Sequence, residues 1–254
     1  MTALADDIER RLSEAPGLLV ALDFDGTLAP IADDPDAPEI TAPNRRAVER
    51  LVDHPDTLVA VVSGRQLADL RPRVGVDGVR YVGNHGLEYT VDGERRVHPE
   101  AEVHLADIEG VRETLERRLA AFDGVHVEDK EVTLTVHYRR ASDASAEDVT
   151  AIVEDVVDPV EGLQTGHGKM IVEVKPAVDW HKGAIVEWLA DEVPDDWPTV
   201  YVGDDTTDED AFAVLGADDF GVLVGERSTA ADYRVPDQPS VAGLLAQLVA
   251  VLAD

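Results

Sequence analysis

Three short runs, LDFDGT (22–27), VVSGR (61–65) and VYVGDDTTDED (200–210), each join an apolar stretch to polar side chains. The apolar stretches read as buried strands, and in an open parallel sheet ligands bind beyond the carboxyl ends of the strands. The three ends are therefore expected to bring Asp23, Asp25, Ser63, Asp204, Asp205 and Asp208 to one crevice. Carboxylates beside a hydroxyl, with no cysteine and no paired histidines, suit a hard, oxygen-seeking cation, most simply Mg²⁺. Such a site fits phosphoryl transfer, which needs a cation, hydrogen-bond donors and an in-line nucleophile. Asp-x-Asp alone says little among 53 acidic residues, and DPD (34–36) and DED (208–210) also match it. The preceding strand and the following Gly-Thr set 23–25 apart.

The elements that must hold these residues alternate between strand and helix, the pattern of an α/β sheet. GLLVALDFDG (17–26), TLVAVVSGR (57–65), RYVGNHG (80–86), TVYVGDD (199–205) and GVLVG (221–225) read as strands, with a hairpin over 87–98 turning at Asp92-Gly93. Helices are expected over 41–54, 181–193, 206–216 and near 239–252. Between 99 and 177 the texture changes. An amphipathic helix (101–122), an alternating strand (132–139), a second helix (145–157) and another alternating strand (169–176) describe sheets with one exposed face. The expected organisation is thus a parallel-sheet core from 1–98 and 178–254, interrupted by an inserted α+β subdomain over 99–177.

Composition narrows the class. A hydrophobic fraction of 44% excludes whole-chain disorder, and no stretch approaches the ~20 apolar residues of a membrane span. The start, MTALADDIERRL, lacks the pattern of a secretory signal, so a soluble, cytoplasmic protein is expected. Zero cysteines exclude disulfides and thiolate chemistry. With 22 basic against 53 acidic residues, the formal charge of −31 repels nucleic acid and anionic lipid. The lysines are only Lys130, Lys169, Lys175 and Lys182, so each is a candidate for a specific task. The acidity and the scarcity of lysine together point to a halophilic source.

The full set, DFDGT, SGR, a lysine and GDDTTDED in that order, resembles the haloacid dehalogenase superfamily. Within it the chain is similar to the trehalose-6-phosphate phosphatases, on VSGR (62–65), GNHGLE (83–88), EDK (128–130), HYR (137–139), KMIVEVKP (169–176), HKG (181–183) and GDDTTDEDAF (203–212). The resemblance implies a Rossmann-like core and a cap formed by the insertion, closing over the crevice. It implies that Asp23 attacks phosphorus and that Asp25 acts as general acid and then base. Mg²⁺ would be held by Asp23, the Asp25 carbonyl and Asp204, directly or with Asp205 and Asp208 through water. Ser63 and Lys182 would bind phosphate, with Thr27, Gly64 and Asp208 in support. Glu128, Lys130 and Glu173 match sugar-binding positions of the family, and Arg65 and His85 are expected at the crevice mouth. His85 is equally suited to capping a turn, and Trp180, Trp188 and Trp197 read as packing anchors. A sugar phosphate is the implied small-molecule substrate, with a functional link to a trehalose-6-phosphate synthase; oligomeric state stays open. Other sugar phosphates such as sucrose phosphate or mannosyl-3-phosphoglycerate, a phosphomutase, and a non-catalytic sugar-phosphate-binding protein remain alternatives.

Overall fold

The computed structural model describes residues 2–32, 37–141 and 143–252; the DPD run at 34–36 lies outside them. The chain divides into two units, Met1–Arg95 with Trp180–Asp254, and Arg96–Asp179. The first begins α1 (Thr2–Leu12), β1 (Leu18–Asp23), α2 (Ala42–Val52), β2 (Thr57–Val62), α3 (Leu67–Val74), β3 (Arg80–Gly83), β4 (Glu88–Val91) and β5 (Glu94–Val97). The second holds α4 (Pro99–Glu102), α5 (Leu105–Leu119), β6 (His126–Asp129), β7 (Leu134–His137), α6 (Asp143–Val157), β8 (Leu163–Gly168) and β9 (Ile171–Pro176). The chain then returns to the first unit with α7 (Lys182–Ala190), β10 (Thr199–Gly203), α8 (Glu209–Val214), β11 (Phe220–Val224), β12 (Tyr233–Val235) and α9 (Gln238–Leu252).

The eight-stranded sheet runs β12-β11-β10-β1-β2-β3-β4-β5. It is parallel from β12 to β3, and β4 pairs antiparallel with β3. β1 is buried on both faces, as its unbroken apolar sequence requires. Leu18, Val20 and Leu22 face a cluster with Ile8 of α1, Leu51 of α2, Leu70 of α3 and Leu245 of α9. Leu19 and Ala21 face Ile185 and Leu189 of α7 and Phe212 of α8. These helices therefore cover both sides of β1, and the polar residues that follow β1, β2 and β10 emerge at one edge, since the three strands are adjacent and parallel. The β4–β5 turn falls at Asp92-Gly93, both at positive φ (51° and 79°), as a two-residue hairpin turn of this hand demands.

The second unit is a four-stranded antiparallel sheet, β6-β7-β9-β8. Leu134, Val136, Val172 and Val174 of the two inner strands pack on Ile108 and Leu115 of α5 and Val149 and Val153 of α6. Alternation along each strand then turns the intervening polar residues to the other face. Among the described residues no helix is long and apolar enough to cross a membrane.

Candidate active site

Asp23 closes β1, Ser63 follows β2, and Asp204 and Asp205 follow β10, so three adjacent strand ends carry the acidic residues. Asp23 is 6% exposed and its Oδ1 accepts a hydrogen bond from Lys182 Nζ at 2.6 Å. The same ammonium donates to Asp208 Oδ1, also at 2.6 Å. Lys182 is delivered by the first residue of α7, whose start is capped by His181 Nδ1 accepting from the Gly183 and Ala184 amides. Asp208 is fully buried; its Oδ1 also accepts from the Tyr201 hydroxyl (2.6 Å) and its Oδ2 from the Asp205 amide (2.8 Å).

Burial lifts the Asp23 carboxyl well above its usual range; the Lys182 charge opposes this and the Asp208 charge adds to it. Lys182 shows the converse. Burial disfavours its charge, but Asp23 and Asp208 together outweigh that cost and hold it protonated. Burial and the nearby Asp208 charge push Tyr201 well up, so its hydroxyl keeps the proton it donates.

Asp23, Asp204 and Asp208 offer carboxylate oxygens within 4.8 Å of one another. Asp204 rises to about 6, by burial first and then by the Asp208 and Asp205 charges. Its Oδ1 is buried with no hydrogen-bond partner. An orphaned carboxylate oxygen facing two further acids is a poor arrangement by itself and a good one for a hard cation. Asp208 already accepts from Lys182, Tyr201 and the Asp205 amide, whereas the Asp204 Oδ1 has no partner. Gly26, at φ +83°, allows this approach: a Cβ there would collide with the Asp204 carboxylate.

Asp205 lies outside this trio. It is exposed, and its Oδ1 caps the following turn through the Thr206 amide at 2.7 Å. Asp25 is half-exposed and held by Arg65 through two parallel bonds of 2.7 Å, Nε to Oδ2 and Nη2 to Oδ1. Arg65 therefore reaches an acid of the DFD run. Behind it, Asp69 accepts from Arg65 (2.9 Å) and Arg73 (2.7 Å), and the guanidinium lies 5.7 Å from the Phe24 ring centre. Ser63 is buried, its Oγ accepting from the Arg65 amide at 3.2 Å. His85 sits in a tight turn at φ +53°, donates its amide to the Ser63 carbonyl and lays its ring where a side chain on Gly64 would fall. Buried Glu88 ties this turn down, accepting from Asn84 Nδ2, the Leu67 amide and Arg95 Nε. Thr27 is fully buried with its Oγ1 unpartnered.

The sequence reading missed Tyr201, Arg227, Asp69 and Glu88. Arg227 donates Nε to the Asp204 carbonyl (3.0 Å) and Nη2 to the Asp205 carbonyl, and pairs with Glu209, pinning the loop after β10. A lone arginine 22 residues beyond Asp205 carries no spacing signal. Tyr201 is masked within an apolar strand. The tryptophans pack: Trp180 donates to the Gly86 carbonyl (2.9 Å), Trp188 lies 4.7 Å from the Tyr89 ring centre, and the Trp197 ring fills the space beside Gly17.

The trehalose-phosphatase family model matches residues 21–239. The chain belongs to the trehalose-phosphatase family. A trehalose-phosphate phosphatase of Mycobacterium marinum is 34% identical over 270 residues, covering 96% of this chain and 68% of that protein. Among solved structures, a trehalose-6-phosphate phosphatase related protein is similar in fold, with TM-score 0.80, 24% identity, and 93% and 100% of the two chains covered. The C-terminal domain of a trehalose-6-phosphate phosphatase from C. albicans gives TM-score 0.75 at 25% identity, covering 97% and 96%.

In this member of the trehalose-phosphatase family, the other expected residues lie in the second unit. Glu128 (β6) and Glu173 (β9) both stand opposite Thr135 of β7. Lys130 follows β6, its amide donating to the Thr133 carbonyl.

Proposed function

We propose that this protein is a Mg²⁺-dependent phosphatase that hydrolyses trehalose 6-phosphate to trehalose and phosphate through an aspartyl-phosphate. The observation that carries the reading is the buried Asp23–Lys182–Asp208 cluster beside the orphaned Asp204 carboxylate, in a chain of this family. A buried carboxylate is a nucleophile only while ionised, and the Lys182 ammonium, 2.6 Å away, favours that form. Asp23 attacks phosphorus as the bond to the sugar oxygen breaks, and Asp25, carrying a proton on an oxygen that Arg65 has released, gives that proton to the sugar oxygen. Asp25 then takes a proton from water as the water attacks phosphorus, which releases phosphate and restores the Asp23 carboxylate. Ser63 and Lys182 hold phosphate oxygens, with Thr27 and Gly64 in supporting positions and His85 beside the strand end. Asp23, Asp204 and the Asp25 carbonyl would hold Mg²⁺, with Asp205 and Asp208 acting through water; when bound, the ion would neutralise phosphate that this acidic crevice otherwise repels.

The inserted unit is read as the cap, with Glu128, Lys130 and Glu173 reading the sugar. Arg65 contributes by holding Asp25. A cytoplasmic location and a trehalose-6-phosphate synthase as the source of substrate belong to the same reading.

The test is phosphate release with Mg²⁺ at high salt from trehalose 6-phosphate, sucrose 6-phosphate, glucose 6-phosphate and mannosyl-3-phosphoglycerate. A strong preference for the first supports the proposal. Preference for another keeps the chemistry and replaces the sugar, and folded protein silent on all four overturns the reading as a phosphatase.

A further inference from the structure

The face of the four-stranded sheet that turns away from α5 and α6 carries a polar row that the three expected sugar residues do not exhaust. Register places Glu128, Thr135, Glu173 and Gly166 directly across β6, β7, β9 and β8. The adjacent row holds the His126–His137 pair, their rings 6.2 Å apart and 23° from parallel. Two features of this face need a reason. His137 Nε2 lies 2.7 Å from Glu128 Oε2, a bond that joins two half-exposed side chains across neighbouring strands. Thr135, only 2% exposed, has its Oγ1 buried with no partner, in the row between two glutamates.

A buried hydroxyl without a partner is costly, and valine fills the same volume without that cost. A lone glutamate on a sheet face samples several rotamers, and each rotor frozen on binding costs affinity. We propose that His137 is a positioning residue for sugar recognition, holding Oε2 of Glu128 so that Oε1 meets a sugar hydroxyl, while Thr135 supplies a further hydroxyl in the same row. The inference rests on the sugar-phosphate reading above and deepens it. The bond from His137, with partial burial opposing it, keeps the Glu128 carboxyl below its usual range. Glu128 is then an acceptor, and Nε2 must be the donor. Orientation matters to a sugar, because its hydroxyls are recognised by direction; it matters little to an aryl phosphate held by its phosphoryl group.

The test compares His137→Leu, His137→Gln and Thr135→Val with the parent protein, on trehalose 6-phosphate and on p-nitrophenyl phosphate. Loss of one charge-assisted bond raises KM for the sugar phosphate about 10-fold in His137→Leu with kcat little changed. The glutamine, whose amide nitrogen replaces Nε2, recovers most of that loss. Thr135→Val raises the same KM several-fold. All three leave p-nitrophenyl phosphate turnover at the parent level. Equal losses on both substrates, no change on the sugar phosphate, or a glutamine variant no better than leucine overturns the inference. A parent protein that hydrolyses only the aryl phosphate overturns the substrate reading first, and the role of His137 with it.

Discussion

Replacing Lys182 with methionine tests whether the site is a low-dielectric ion cluster. The ammonium is 4% exposed, and its partners Asp23 and Asp208 are 8% and 0% exposed at the side chain. Methionine keeps the stem and removes the charge, stranding two carboxylates that cannot both stay ionised. Breaking a buried pair in this way costs about 3–5 kcal/mol, a large part of the 5–15 kcal/mol that typically holds a domain folded. The penalty depends on pH in a defined direction. Burial already lifts Asp23 above its usual range, and losing the lysine lifts it further. The folded variant then binds a proton that the unfolded chain has released, so its stability falls as pH rises. Urea unfolding without metal, at fixed molar salt, is expected to show the larger loss at pH 8 and a smaller one at pH 5. Adding Asp208→Asn to Lys182→Met is expected to recover part of the loss, because the two sites touch. A loss under about 1 kcal/mol at pH 8, the size of an exposed pair, with an unchanged urea slope refutes the reasoning.

Asp204 gives a second pH signature: its folded value of about 6, against an ordinary 3.8, means its favourable contribution in the metal-free protein fades as pH climbs through that window. The rise in melting temperature on adding Mg²⁺ is therefore expected to be greater at pH 7.5 than at pH 5, and to shrink in Asp204→Asn. Arg65→Met, which releases Asp25 from its bidentate clamp, is expected to slow trehalose 6-phosphate hydrolysis about 100-fold, the lower range of what a general acid supplies. The variant should affect p-nitrophenyl phosphate much less, since its leaving group departs without a proton; equal slowing removes the positioning role. The formal charge of −31 makes the folded state self-repelling, so the urea midpoint is expected to rise from dilute buffer to molar salt. A flat response removes the halophilic interpretation.

What could be read from the chain tracks where burial leaves a pattern. β1, β2 and β10 are apolar runs because both faces are covered, and their polar ends announce the site. In the second unit β7 and β9 alternate because their apolar side chains build the core against α5 and α6. Their flanking partners do not. β6 (HVED) and β8 (LQTGHG) are edge strands of that sheet, polar or glycine-rich, and the sequence reading leaves both out. α3 escapes for another reason: it has eight residues with Pro72 inside, though Leu67, Leu70 and Val74 face the core. The expected helix over 101–122 breaks into α4 and α5 around His104.

The site divides in the same way. Asp23, Asp204, Asp208 and Lys182 are legible from their runs, since strand ends and a helix start place them. Asp205 and Asp208 are not separable by motif. Only the turn shows Asp208 buried under three bonds and Asp205 capping in solvent. Arg65 illustrates a different limit: its place after β2 follows from SGR, but its grip on Asp25, 40 residues earlier, is a tertiary fact.

The most direct test of the account is to mix the enzyme with trehalose 6-phosphate and Mg²⁺, quench in acid within one turnover, and locate the phosphoryl group by peptide mass spectrometry. A phosphoryl group is expected on Asp23, formed and lost at rates that match phosphate release. Phosphate release with Asp23 unmodified throughout, or a phosphoryl group on another side chain, contradicts it.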